Sequence, residues 1–299
     1  MSSPTRHTTA PEPKARVVTT GLRFPEGPIA MPDGSVILVE IERGTLSRVQ
    51  PDGRVEVIAD CGGGPNGAAF GPDGRIWLCN NGGRDERGCI QAVDIQTGNV
   101  ETIYTEVEGQ RLSAPNDLVF DRDGGFWFTD HGSSWPRHRD HGGLYYARSD
   151  GSSIRELVYP LDAPNGVGLS PDERTVYVAE THTGRLRGFD VTAPGELALR
   201  FGKETRGRLH GEVDDDQLLD SLAVDGEGRV CVATVRSGGI TVFATDGSKQ
   251  FVPTGDRITT NICFGGADMR TAWITGSRDG VLLRTTWDAP GHRLNFNPY

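Results

Sequence analysis

An all-β fold assembled from six copies of one hairpin unit is what this 299-residue sequence predicts. Three observations carry that expectation. A hydrophobic frame recurs six times, each with one polar residue standing seven positions ahead of a turn. Each turn is followed by an aromatic or β-branched run. No long window shows apolar residues at i, i+3, i+4 and i+7, while 41 glycines and 18 prolines punctuate the chain.

The first frame, FPEGPIAMPDG from Phe24, leads with Glu26, turns at Asp33 and continues into SVILVE. The second, GPNGAAFGPDG from Gly64, leads with Asn66, turns at Asp73 and runs into RIWLCN. APNDLVFDRDG from Ala114 offers Asn116, then Asp123 and GFWFTD; APNGVGLSPDE from Ala163 offers Asn165, then Asp172 and RTVYVAE. LLDSLAVDGEG from Leu218 leads with Asp220, turns at Glu227 and enters RVCVAT. The last, TTNICFGGADM from Thr259, leads with Asn261, turns at Asp268 and enters RTAWIT.

An alternating apolar stretch, a tight Asp- and Gly-rich turn and a second β-prone stretch make an antiparallel hairpin. Successive turn positions lie between 40 and 55 residues apart, the range of a four-stranded propeller blade with variable outer loops. Sheets arranged radially about an axis cover one another's faces, which a lone hairpin cannot do. A β-sandwich also has many short strands, but it gives no reason for a polar residue to recur at one offset. The expectation is therefore a six-bladed β-propeller with a central metal site, one domain over residues 16–299. Residues 1–15 read as a polar, Pro-containing tail. The strand ARVVTT that follows is placed to pair with C-terminal GVLLRTTW and close the ring.

A formal charge of -10 and a pI near 5.2, without a long Lys/Arg cluster, argue against nucleic-acid and anionic-membrane partners. A small-molecule partner fits better. No apolar run reaches spanning length and MSSPTRHTTAPEPK lacks an apolar signal core, so a cytoplasmic location is the expectation. Cys61, Cys79, Cys89, Cys231 and Cys263 form an odd set without a CxxC pair and read as free, mostly buried thiols.

If the strand after each leading residue is the innermost of its blade, Glu26, Asn66, Asn116, Asn165, Asp220 and Asn261 converge near the axis. Taken singly, each Asn reads as a turn former. As a set they read differently, because a turn requirement does not explain carboxylates in the first and fifth frames. Desolvated carboxylates and amides must be bonded or coordinated. Ligand atoms that are all oxygen select a hard divalent ion, with Ca²⁺ first and Mn²⁺, Mg²⁺ or Zn²⁺ open.

The motifs FPEGP, APND, APNG and LLDSLAVDGEG, with TNICFGG and RLNF near the end, resemble the SMP-30/gluconolactonase/LRE family from about Val17 to Phe296. The resemblance implies a six-bladed propeller holding one divalent metal through Glu26, Asn116, Asn165 and Asp220. It implies lactone hydrolysis, commonly of sugar lactones, with Asp220 also the catalytic base. Two departures stand out: Leu219, Asp220 and Ser221 replace a common Pro-Asp-Gly, and Ser113 stands where many sugar lactonases have Asn. Arg111 remains a candidate substrate contact.

The expected chemistry is attack by water, deprotonated by Asp220, on a polarised lactone carbonyl. A lyase or isomerase would use the same ion on an enolate, and a binding propeller would hold it structurally. The ends of the second strands, Glu40, Asn80, Asp130, Glu180 and Thr234, are candidates to surround the ring. Asn66, Asp130, His131, His182 and Asn261 are candidate substrate contacts. The insertion from Gly132 to Gly143 is expected to shape the mouth, with acidic HGEVDDDQ facing it; Trp135, Tyr145 and Phe128 are candidate apolar walls.

Overall fold

The computed structural model describes residues 15–83, 87–198 and 207–299, and all regular structure among them is β. The expected tail lies outside the described residues except for Ala15, which packs against the core between the fifth and sixth blades. Six antiparallel sheets follow one another along the chain. Their innermost strands are Pro25–Ala30, Pro65–Phe70, Pro115–Phe120, Pro164–Leu169, Leu218–Val224 and Thr259–Gly265. Each packs beside the next, and the last packs beside the first, which makes a closed six-bladed propeller.

The second strands are the predicted runs: Val36–Glu40, Ile76–Asn80, Gly125–Asp130, Thr175–Glu180, Val230–Val235 and Thr271–Gly276. Four of the six hairpin turns are fastened by the turn residue of the repeat, Asp268 among them, while Asp121 and Asp225 take that role in the third and fifth blades. Asp33, Asp73 and Asp172 accept the backbone N–H two residues on, which holds the loop closed without help from neighbouring blades. Ring closure follows the expected pairing: Arg16–Thr19 lies antiparallel to Val281–Thr286, with Val17 opposite Leu283. N- and C-terminal segments thereby share the sixth blade.

Apolar burial is distributed between blades. Six clusters of buried side chains each join two neighbouring sheets. The one between blades two and three is the most aromatic, with Trp77, Phe120, Phe126 and Phe128 buried together. Tyr145 stacks on Phe128 at 5.0 Å and donates to Glu156, so these two rings belong to the core and form no pocket wall. Cys61, Cys79 and Cys231 are buried, Cys89 and Cys263 are half-buried, and all five are free thiols.

The leading polar residues do not precede the inner strands, as the repeat suggested; they lie inside them. In every blade the pairing with the second strand breaks register at this point. A bulge re-aims one side chain without ending the strand. Close approach of neighbouring inner strands explains the following glycine. A Cβ on Gly27 would stand 2.6 Å from the Asn66 carbonyl oxygen, and one on Gly67 would stand 2.6 Å from that of Asn116. Gly67→Ala must therefore push the second and third inner strands apart, at about 1–3 kcal/mol as overpacking usually costs, measurable by urea unfolding.

The C-terminal segment crosses the end of the axis remote from the leading residues. His292 N–H donates to Val224, Asn295 to the Phe120 carbonyl and Glu173, and the Tyr299 hydroxyl to Met31. Above it lies a small axial cavity of about 80 Å³, bounded by Asp117, Cys263, His292 and Asn297 among others.

Candidate active site

Glu26, Asn66, Asn116, Asn165 and Asn261 are all buried, and Asp220 keeps partial exposure. Glu26 Oε2 accepts the Gly27 N–H at 2.8 Å and the Asn261 amide at 2.7 Å. Asn261 Oδ1 in turn accepts the Ile262 N–H. Each end of the Asn261 amide thus makes one hydrogen bond, which orients it against Glu26. Ser221, where a glycine was the commoner pattern, donates to Asn165 Oδ1 at 3.3 Å, while Asn165 donates to Thr181.

Sequence reasoning missed one member. Asp117 follows Asn116 at the offset filled by Gly27, Gly67 and Gly166 in other blades; that substitution was the available signal. It is buried and accepts the Leu118 and Val167 N–H groups. Burial, reinforced by the Glu26 charge, pushes its carboxyl up to about 8. Burial likewise raises Glu26 to about 7, against hydrogen bonds from Asn261 and Gly27. Asp220 is raised well above the carboxylate range by burial and then by Glu26. Three carboxylates compete for protons around one axis.

Among the described residues no group of three or more His, Cys, Asp and Glu side chains stands together as a metal cluster. Two of the four expected ligands are amides, which such a grouping does not count. Asn116 Oδ1 is buried without a hydrogen-bond partner among the described residues. An orphaned amide oxygen beside desolvated carboxylates fits a hard cation and fits nothing apolar.

Four of the second-strand ends clasp backbone N–H groups of the segments that enter the inner strands. Asp130 accepts Ser113 N–H at 2.7 Å, Ala114 N–H at 2.8 Å and Gly132 N–H at 3.0 Å, so both its oxygens are engaged. Glu40 accepts from Arg23, Asn80 from Gly64, and Glu180 from Asp162, each clasping the segment that leads into its own inner strand. Thr234 bonds only within its blade, to Val232 and Thr241. Asp130 thereby clasps the segment that leads into the inner strand carrying Asn116. Asp130→Ala leaves three N–H groups without their acceptor, at about 1–3 kcal/mol for each one left unsatisfied, and should lower the urea midpoint accordingly.

A cavity of about 950 Å³ opens above Asn116, bounded by Asn81, Arg87, Ser113, His131, Ser133 and Trp135. His131 lies 6.1 Å from His182, ring to ring, and burial lowers both imidazoles below their ordinary value. The predicted insertion folds as a short hairpin, Ser134–Trp135 against His138–Arg139, at this mouth. Arg111 is exposed on a separate hairpin, Glu106–Val107 with Gln110–Arg111, and does not line the cavity. His210 to Glu212 of the acidic stretch runs in an outer strand of the fourth blade, so that part does not face the insertion.

Relatives carry the same architecture. The chain is 30% identical to a lactonase drp35 of Staphylococcus saprophyticus, covering 81% of this chain and 72% of that one. A gluconolactonase structure from Xanthomonas campestris superposes with TM-score 0.75 at 27% identity, covering 90% of this chain and 88% of the other. A regucalcin from Agrobacterium tumefaciens, described as a calcium-binding protein, gives TM-score 0.73 over 94% and 97% of the two chains; at 20% identity it speaks to fold alone. The SMP-30/gluconolactonase/LRE-like model matches residues 24–278, all six leading residues included, and the chain belongs to that family.

Proposed function

We propose that this protein is a metal-dependent hydrolase that opens a lactone ring. One observation carries the reading: an unpartnered, buried Asn116 oxygen that borders an open cavity, in a ring of inner strands that also carries the desolvated carboxylates Glu26, Asp117 and Asp220. The names of the lactonase and gluconolactonase relatives support the reaction class. Glu26, Asn116, Asn165 and Asp220 would hold the ion, and the all-oxygen set favours Ca²⁺. When bound, such an ion polarises a carbonyl oxygen and acidifies water.

The chain's own groups supply the remainder. Asp220, which keeps partial exposure, would accept a proton from water as the water oxygen bonds to the acyl carbon, ionised once the cation offsets the Glu26 charge beside it. The ring C–O bond then breaks, and the departing alkoxide takes up a proton, leaving a hydroxy acid. Ser221 and Thr181 hold the Asn165 amide, while Asn261 and Gly27 hold Glu26. Preformed positions of this kind lower the reorganisation needed during reaction.

The test is the rate of acid release from sugar, aryl and alkyl lactones by chelator-treated protein, with and without added Ca²⁺. Calcium-restored turnover is expected. Tight calcium binding with no turnover on any lactone would point instead to a lyase or to a structural ion.

A further inference from the structure

The hairpin of residues 134–139 is built as a rigid wall. Asp130 accepts Gly132 N–H at its foot, and His131 N–H donates to the Ala114 carbonyl. Ser133 Oγ lies 2.8 Å from Ser113 Oγ, and Asp140 N–H donates to Ser133. Arg139 pairs with Asp162 at 2.8 Å, which ties the far side to the fourth blade, since Asp162 N–H is clasped by Glu180. These braces flank the strand pair that carries Trp135.

Trp135 is the exception among five tryptophans: it is 43% exposed, whereas Trp77, Trp127, Trp273 and Trp287 are buried. One face stacks on His138 at 4.5 Å with 14° between the planes. The side chain also borders the cavity whose floor includes Asn116. Asn81, Gly82, Gly83 and Arg87 line the same cavity, and among its described lining residues Trp135 carries the one large apolar ring. A volume of about 950 Å³ lies at the upper end of the roughly 300–1,000 Å³ usual for ligand pockets, more than a bare monocyclic lactone fills.

We infer that Trp135 is a specificity-determining residue that receives a flat apolar substituent fused to or carried by the lactone, holding the carbonyl over Asn116. This rests on the hydrolase reading above. An indole braced on one side pays little conformational entropy to stack on the other, so its contribution is to binding and falls on KM.

The experiment compares calcium-loaded wild type, W135A and W135F on dihydrocoumarin and on δ-valerolactone, the same ring without the arene. W135A should lose about tenfold in kcat/KM on dihydrocoumarin, mainly through KM, with less than a twofold change on δ-valerolactone and substantial recovery in W135F. In parallel, tryptophan fluorescence is titrated with 3-(2-hydroxyphenyl)propanoate, which needs no turnover. Saturable quenching should appear in wild type and vanish in W135F. Equal losses on both lactones, or quenching that survives in W135F, overturns the assignment. If wild type opens neither lactone but Trp135-dependent quenching persists, the reaction falls and the wall stands; if quenching is also absent, both fall.

Discussion

Asp220→Asn lowers lactone kcat/KM by roughly 10²–10⁴-fold, the usual contribution of a general base, while the protein stays folded. The substitution is nearly isosteric and keeps an oxygen toward the ring. It removes the group that can take the water proton. It also removes one of three mutually repelling carboxylates, since Asp220 is raised by Glu26 and by Asp117. Melting temperature in the absence of cation should therefore hold or rise. A folded D220N enzyme that turns over at the wild-type rate would remove Asp220 from the role of base and direct attention to Asp117.

Calcium raises the melting temperature of the metal-free protein more at about pH 8 than at about pH 5.5. Glu26 stands at about 7 against an ordinary 4.5, and Asp117 at about 8 against 3.8, both chiefly through burial. Between those limits the fold retains protons that the unfolded chain has released. Stability from these groups is thus complete below the ordinary carboxylate values and is lost as pH rises through 7 and 8. A bound divalent ion takes over from the protons, and at higher pH fewer must be displaced. Burial also lowers the imidazoles of His131, His182, His210 and His292, and the same pH pair measured on Glu26→Gln separates their contribution from that of the carboxylates. Equal calcium gains at both pH values would place the ion away from these carboxylates. Glu26→Gln should abolish most of the gain, because it removes a charged ligand and leaves Asn261 facing an amide.

The division between what was legible and what was not follows particular residues. The inner-strand positions of Asn66 and Asn165 were readable because a period of recurrence survives in one dimension. Their common offset from Asp73 and Asp172 encodes the same hairpin each time. Asp117 escaped notice because its meaning lies in contrast with glycines far away in sequence, and its raised affinity for protons comes from burial against other blades. For Asp130 and Glu180 the part left illegible has a related reason. Their position at the rim was correct, but the direction of a carboxylate at a strand end depends on which backbone N–H groups the incoming loop presents.

By itself the sequence determined the all-β character, the six blades, the closing strand pair and the ring of oxygen-bearing side chains, because each rests on local turn chemistry and period-two patterning repeated at regular spacing. Only the tertiary structure decided that bulges turn those side chains inward, that Asn116 is left with an orphaned oxygen, that Asn261 serves Glu26, and that Trp135 alone among the tryptophans meets solvent at the mouth. These depend on distances between segments tens to hundreds of residues apart, and the energies that fix them, desolvation and close packing, exist only once the blades have met.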